Sequence, residues 1–168
     1  MRRILFLFLL LLMSCTEVNS MKIQSVFTNG GKIPLMYTCD GDNKSPPLEI
    51  SDVPKEAKSL VLIMEDPDVP QKIRADGMWD HWIIWNLPPT TKKIPEGVEP
   101  VGVHGKTTSG TLAYAGPCPP DKEHRYFFKL FALDTLLNLP AGSSKLQVID
   151  AMKRHVVAEA VLMGMYER

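Results

Sequence analysis

The chain has 168 residues, 45% of them hydrophobic, with 19 basic against 19 acidic side chains. That is enough for one domain with a real core and too little for two comfortable ones. A balanced charge with no basic run argues against a nucleic-acid partner and against a polybasic membrane anchor.

Arg2 and Arg3 precede the apolar run Ile4 to Met13, which is followed by Ser14 and Cys15. A basic start, a short apolar core and small residues make a secretory signal. The run is about half the ~20 residues that a membrane-spanning helix needs. Leu12-Met13-Ser14-Cys15 resembles a bacterial lipoprotein processing site, with Cys15 as the lipid-modified first residue. Residues 1–14 are thus read as a signal peptide, 15–22 as a linker and 23–168 as the domain. The expected address is the bacterial cell envelope, with the membrane reached through the lipid anchor only. Plain secretion is one alternative. Translation from Met21, giving a cytoplasmic protein, is the other. Without residues 1–14 the count is 17 basic against 19 acidic residues.

The 14 prolines are spread so that few long helices fit between them. That favours a mostly β domain. Met21 to Thr28 is predicted as a strand and Asn29-Gly30-Gly31 as a turn. The polar loop around Cys39 leads to a short strand at Leu48 to Ser51. Ser59 to Met64 (SLVLIM) reads as a buried strand. It runs into an acidic cluster, Glu65, Asp66 and Asp68, stiffened by Pro67 and Pro70.

Trp79 to Leu87 (WDHWIIWNL) is predicted as a central strand. Simple alternation puts Trp79, His81, Ile83 and Trp85 on one face and Asp80, Trp82, Ile84 and Asn86 on the other. Taken alone, His81 reads as a hydrogen-bonded core histidine. Residues 88–111 read as loop, with His104 exposed and inert. Tyr126 to Asp134 is another strand. Ser143 or Ser144 caps a helix from about Lys145 to Val156, with Leu146, Ile149, Met152 and Val156 as its apolar stripe. His155 near its end suits the helix dipole. Glu159 to Tyr166 is the last strand.

In Gly116-Pro117-Cys118-Pro119-Pro120 only Gly116 and Cys118 retain a backbone N–H. Proline fixes the loop, so those donors are held in place. With His124 close by, rigid amides suit an anion pocket. Cys39 and Cys118 match no zinc spacing. In an oxidising compartment they are candidates for a disulfide, and two buried free thiols are the alternative.

DPDVP at 66–70, HWIIWN at 81–86, GPCPP at 116–120 and HRY at 124–126 occur in order. Together they resemble the phosphatidylethanolamine-binding protein family, also called the Raf kinase inhibitor protein family, in its bacterial and archaeal form. SPPL at 45–48, Leu133-Asp134 and Gly164-Met165-Tyr166 fit as well. The resemblance implies an antiparallel β-sandwich with one or two short helices and a small anion pocket at one end. It assigns ligand binding to Asp66, Asp68, His81, Gly116, Cys118, Pro119, His124 and Tyr126. Asp66 is expected to orient a histidine, so that His81 and His124 donate to the anion with the Cys118 amide. The resemblance also implies a strained Gly77–His81 segment, with a cis peptide at Gly77-Met78. It brings the Cys39 and Cys118 loops toward the pocket end. The chain has no counterpart of the mammalian C-terminal helix, so a more open mouth is expected and kinase binding is not carried over.

Two function classes follow. One is a non-catalytic binding protein for a phosphate-type anion or phospholipid headgroup, with kinase or protease inhibition as its regulatory form. The other is a phosphoester hydrolase using the Asp/His pocket. No G-x-S-x-G elbow, metal cluster or cofactor motif supports the enzyme. The protein partner and the choice between monomer and homodimer stay open.

Overall fold

The computed structural model describes residues 20–168. The expected signal peptide and the Cys15 lipid site lie outside the described residues. Among these residues nine strands and one α-helix follow in order, with a short 3-10 turn at Leu35–Tyr37: β1 (Lys22–Gln24), β2 (Gly31–Lys32), β3 (Leu48–Ser51), β4 (Ser59–Asp66), β5 (Trp79–Leu87), β6 (Lys93–Ile94), β7 (Val103–His104), β8 (His124–Leu133), α1 (Lys145–Met152) and β9 (Val156–Tyr166). They form a six-stranded sheet in the order β2-β9-β8-β4-β5-β7 and a three-stranded sheet in the order β1-β3-β6. The mostly β sandwich is therefore as expected. One pair departs from antiparallel: β2 runs parallel to β9, with Gly31 opposite Gly164.

β4 explains the layering. All eight of its residues are buried, because both of its faces are covered. Leu60, Leu62 and Met64 join Phe128, Leu130, Trp82 and Ile84 in the core between the sheets. Val61 and Ile63 face the other way, onto Ile83, Trp85, Val148 and Met152 beneath α1. Each such side chain contributes about 1.5–3 kcal/mol on burial. Gly164 lets β9 close over the core, since a Cβ there would lie 2.5 Å from Ile33 Cγ1 and 2.8 Å from Phe27 Cε2.

Several boundaries differ from the sequence expectation. α1 stops at Met152, and Val156 pairs with Leu133 as the start of β9. Its buried residues are Val148 and Met152, while Leu146 is 71% exposed. A helix this short has room for only a narrow apolar stripe. Ser144 is its cap, in a reciprocal capping box with Gln147. His155 does not serve the dipole; its Nδ1 meets Asp134 Oδ1 at 2.8 Å. His104 is not the exposed residue expected from the sequence. It lies in β7, half-buried, with Nε2 donating to the Pro100 carbonyl at 3.0 Å.

No peptide bond among the described residues is cis, which corrects the expectation at Gly77-Met78. The reversal is made by Gly77 in the left-handed region, φ +65°. Its N–H donates to Arg74 O at 2.9 Å, and the Met78 N–H donates to Asp76 Oδ1 at 3.1 Å. A left-handed glycine turns the chain without the roughly 3–4 kcal/mol that a non-proline cis bond costs.

Candidate ligand pocket

The pocket begins with an extra residue in β5. Met64 pairs with Trp82 and Glu65 pairs with Asp80, so His81 has no opposite number on β4. This is a β-bulge, and it re-aims the side chains beyond it. Asp80 faces Glu65 on the α1 side, where Lys145 Nζ reaches Asp80 Oδ1 at 2.5 Å and Glu65 Oε2 at 2.9 Å. His81 and Trp79 turn to the opposite side, beside Asp66. The His81 ring lies edge-on to Tyr126, with centroids 5.3 Å apart. The expected alternation, which put His81 with Ile83 and Trp85, therefore breaks at the bulge.

His81 and Ala115 are joined twice. The Ala115 N–H donates to His81 O at 3.0 Å, and His81 Nδ1 donates to Ala115 O at 2.6 Å. That fixes the ring and leaves Nε2 with no partner among the described residues. Burial holds the imidazole below the usual histidine range, against the opposing pull of the Ala115 carbonyl, Asp66 and Asp80. Burial thus favours the neutral ring in the free protein, and with Nδ1 donating to Ala115 the neutral form presents a lone pair at Nε2.

Asp66 is fully engaged. Its Oδ1 accepts the Asp68 N–H at 2.8 Å, and its Oδ2 meets His124 Nδ1 at 2.7 Å. The second nitrogen of His124 meets Asp121 Oδ1 at 3.0 Å. Asp66 does orient a histidine, as expected, but that ring points to another carboxylate. Asp68 is taken by Arg125, with Nη2–Oδ1 at 2.6 Å and the backbone N–H to Oδ2 at 3.0 Å. The guanidinium holds the Asp68 carboxyl below the usual range. Tyr126 lies between the two histidines, its hydroxyl buried without a hydrogen-bond partner. Burial, and then the nearby Asp66 carboxylate, push it well above the usual phenol range, so it keeps its proton.

Two loops close the wall. Cys39 and Cys118 form a disulfide with Cα atoms 5.4 Å apart. The Cys39 N–H donates to Pro117 O at 3.0 Å, and the Gly116 N–H donates to Asn43 Oδ1 at 2.8 Å. Tyr114 Oη donates to Tyr37 O at 2.7 Å. Glu99 braces this wall by accepting from the Tyr114 N–H at 2.9 Å and from Trp82 Nε1 at 2.8 Å.

The result is a cavity of about 470 Å³. Of the residues expected to bind ligand, Asp66, His81, Gly116 and Cys118 line it, and the Gly116 N–H is already engaged. Pro120 lines it in place of Pro119. Asp68, His124 and Tyr126 stand outside the lining. The sequence reading missed Asn43, Ser109 and Thr111 as polar lining groups, and Val69, Ile73, Trp79 and Tyr114 as an apolar wall. Ser109 and Thr111 lie in the hydroxyl-rich run Thr107-Thr108-Ser109-Gly110-Thr111, which is the one sequence signal for them. Asp66 is the one acidic residue of the lining, which holds no lysine or arginine. Among the described residues no three His, Cys, Asp or Glu side chains are grouped to hold a metal.

A β-sandwich with a small walled pocket at the sheet end is a binding-protein fold. The family model described as phosphatidylethanolamine-binding protein matches residues 23–167, and the chain belongs to that family. The UPF0098 protein of Chlamydia trachomatis is 51% identical over 142 residues, 84% of this chain and 95% of its own. That of Methanothermobacter thermautotrophicus is 51% identical over 148 residues, again 84% of this chain and 95% of its own. A crystal structure of a phosphatidylethanolamine-binding protein homologue from C. trachomatis aligns with a TM-score of 0.87 at 50% identity, covering 89% of this chain and 99% of that one. Escherichia coli YbcL, described as a member of the mammalian family, aligns with a TM-score of 0.79 at 29% identity over the same shares.

Proposed function

We propose that this protein is a non-catalytic binding protein whose pocket takes a phosphate-type oxyanion, free or as the headgroup of a phospholipid. One observation carries the reading: His81 Nε2 is open to the cavity while both Asp66 oxygens are engaged elsewhere. An incoming anion thus meets a ring that can take up a proton, and not an unpaired carboxylate. Capture of a phosphorylated group on a partner enzyme is the regulatory form of the same activity. The proposed address is the cell envelope, through a lipid on Cys15. The Cys39–Cys118 bridge supports it, because such bonds persist in oxidising compartments.

Calorimetric titration with inorganic phosphate, glycerophosphoethanolamine and vesicles containing phosphatidylethanolamine tests the reading. Saturable binding that is lost in His81→Ala is the expected result. Turnover of a phosphoester, abolished in His81→Ala, would replace the binding reading with the hydrolase. Intact-mass measurement of the membrane fraction checks for lipid on Cys15.

A further inference from the structure

We infer that Asn43 is a ligand-contacting residue of this pocket, donating from Nδ2 to the bound oxyanion; the inference rests on the anion reading above. Asn43 lines the cavity together with Gly116 and Cys118. Its backbone is left-handed, φ +55°, a conformation that asparagine tolerates better than most side chains. The Gly116 N–H donates to its Oδ1 at 2.8 Å. That bond settles which end of the amide is oxygen. Nδ2, with two hydrogens, has no partner among the described residues and is the open polar end of an exposed side chain.

Three features make this donor more than a surface amide. First, it is pre-placed. The Cys39–Cys118 bridge and the Cys39 N–H to Pro117 O bond, 3.0 Å, fasten its loop to the 116–120 loop. The Gly97 N–H to Ser45 O bond, also 3.0 Å, fastens the same loop on its other side. A donor already fixed loses little freedom on binding. Second, it takes over a role that the backbone gives up. The Gly116 N–H cannot reach a ligand because Asn43 Oδ1 holds it. The same hydrogen bond polarises the amide and strengthens Nδ2 as a donor. Third, the need is real. The wall has no lysine or arginine, and the adjacent Lys44 is tied to Glu96 at 2.8 Å. Apart from His81, an anion here must be met by neutral donors.

The competing role is structural, with Asn43 serving only to hold Gly116. Asn43→Asp separates the two. It keeps an oxygen for the Gly116 N–H and tolerates the left-handed backbone, but replaces the Nδ2 donor with a second oxygen. Lys44→Gln makes the same change in net charge one residue away and is the electrostatic control. Titrating full-length protein with inorganic phosphate should show an affinity loss of about tenfold or more for Asn43→Asp. The loss for Lys44→Gln should be under about threefold. In the wild type, the Asn43 side-chain amide NMR signals should move and saturate with phosphate. Equal losses in the two variants, or Asn43 signals that stay still at saturation, overturn the inference while leaving the anion reading intact. No phosphate binding by the wild type overturns both. If Asn43→Asp does not fold, the wild-type NMR titration decides alone.

Discussion

Asp66 Oδ2 and His124 Nδ1 stand 2.7 Å apart, with the His124 side chain 0% and the Asp66 side chain 4% exposed. A buried pair of this kind is costly to break from one side, because the remaining group is left without its partner. His124→Ala should therefore cost about 3–5 kcal/mol of stability, read by guanidinium unfolding. A cost near that of an ordinary surface substitution would mean that the pair is loose and Asp66 is free to confront a ligand.

Anion binding should take up a proton. His81 is held low by burial in the free protein, so its charged form is disfavoured until an anion arrives. The groups that act on it are the Ala115 carbonyl, Asp66, His124 and the Tyr126 ring around it and, from the α1 side, Asp80. In the unfolded chain this histidine titrates near ~6.5. Between its lowered folded value and that figure the unfolded state binds more protons, so apo stability rises with pH across the window. Bound anion favours the charged ring, so affinity should be highest at the acid end and fall as pH rises. Sulfate does not titrate here and is the clean probe. Calorimetry in two buffers of different ionisation heat should show net proton uptake, and uptake that survives His81→Asn would exclude His81 as its source.

Affinity for phosphate should depend weakly on ionic strength. The pocket lining offers no lysine or arginine, so long-range attraction contributes little. Raising salt from low to several hundred millimolar should change the dissociation constant by less than about threefold. A steep fall would point to a cationic surface outside the pocket.

Much of this fold is legible in the sequence. The uninterrupted apolar run of β4 announces a strand covered on both faces. The rigid GPCPP loop and the acidic DPDVP turn do lie at one end of the sheet, beside His81. The bulge at His81 is invisible, because WDHWIIWN is bulky in either phase and no periodicity marks an extra residue. Asn43 is invisible for a different reason: its partner is Gly116, 73 residues away, and only the folded loops bring them together.

Removing the Cys39–Cys118 bridge should lower stability by about 2–4 kcal/mol, since it closes a long loop in the unfolded chain. The two residues are 79 apart in sequence. Unfolding with and without reductant, alongside Cys39→Ser, measures the effect. Intact-mass analysis of the unreduced protein with both thiols alkylated would show that the bridge does not form. Phosphate affinity should fall in the same variant, because the loop carrying Asn43 loses its covalent tie.

The extra residue in β5 gives one strand two independent alphabets. From Trp82 to Trp85, even and odd positions belong to the two cores, and a second register shift then returns Leu87 to the core between the sheets. At His81 the count restarts, and Trp79 and His81 answer to the cavity instead. A drift in ligand preference can therefore be written into 79–81 without rephasing the tryptophans that hold the sandwich together. Deletion of Asp80, the residue opposite Glu65, would do the reverse. It would bring 79–81 into step with Trp82 to Trp85, send the histidine under the helix, and leave a sound sandwich with an empty-handed mouth.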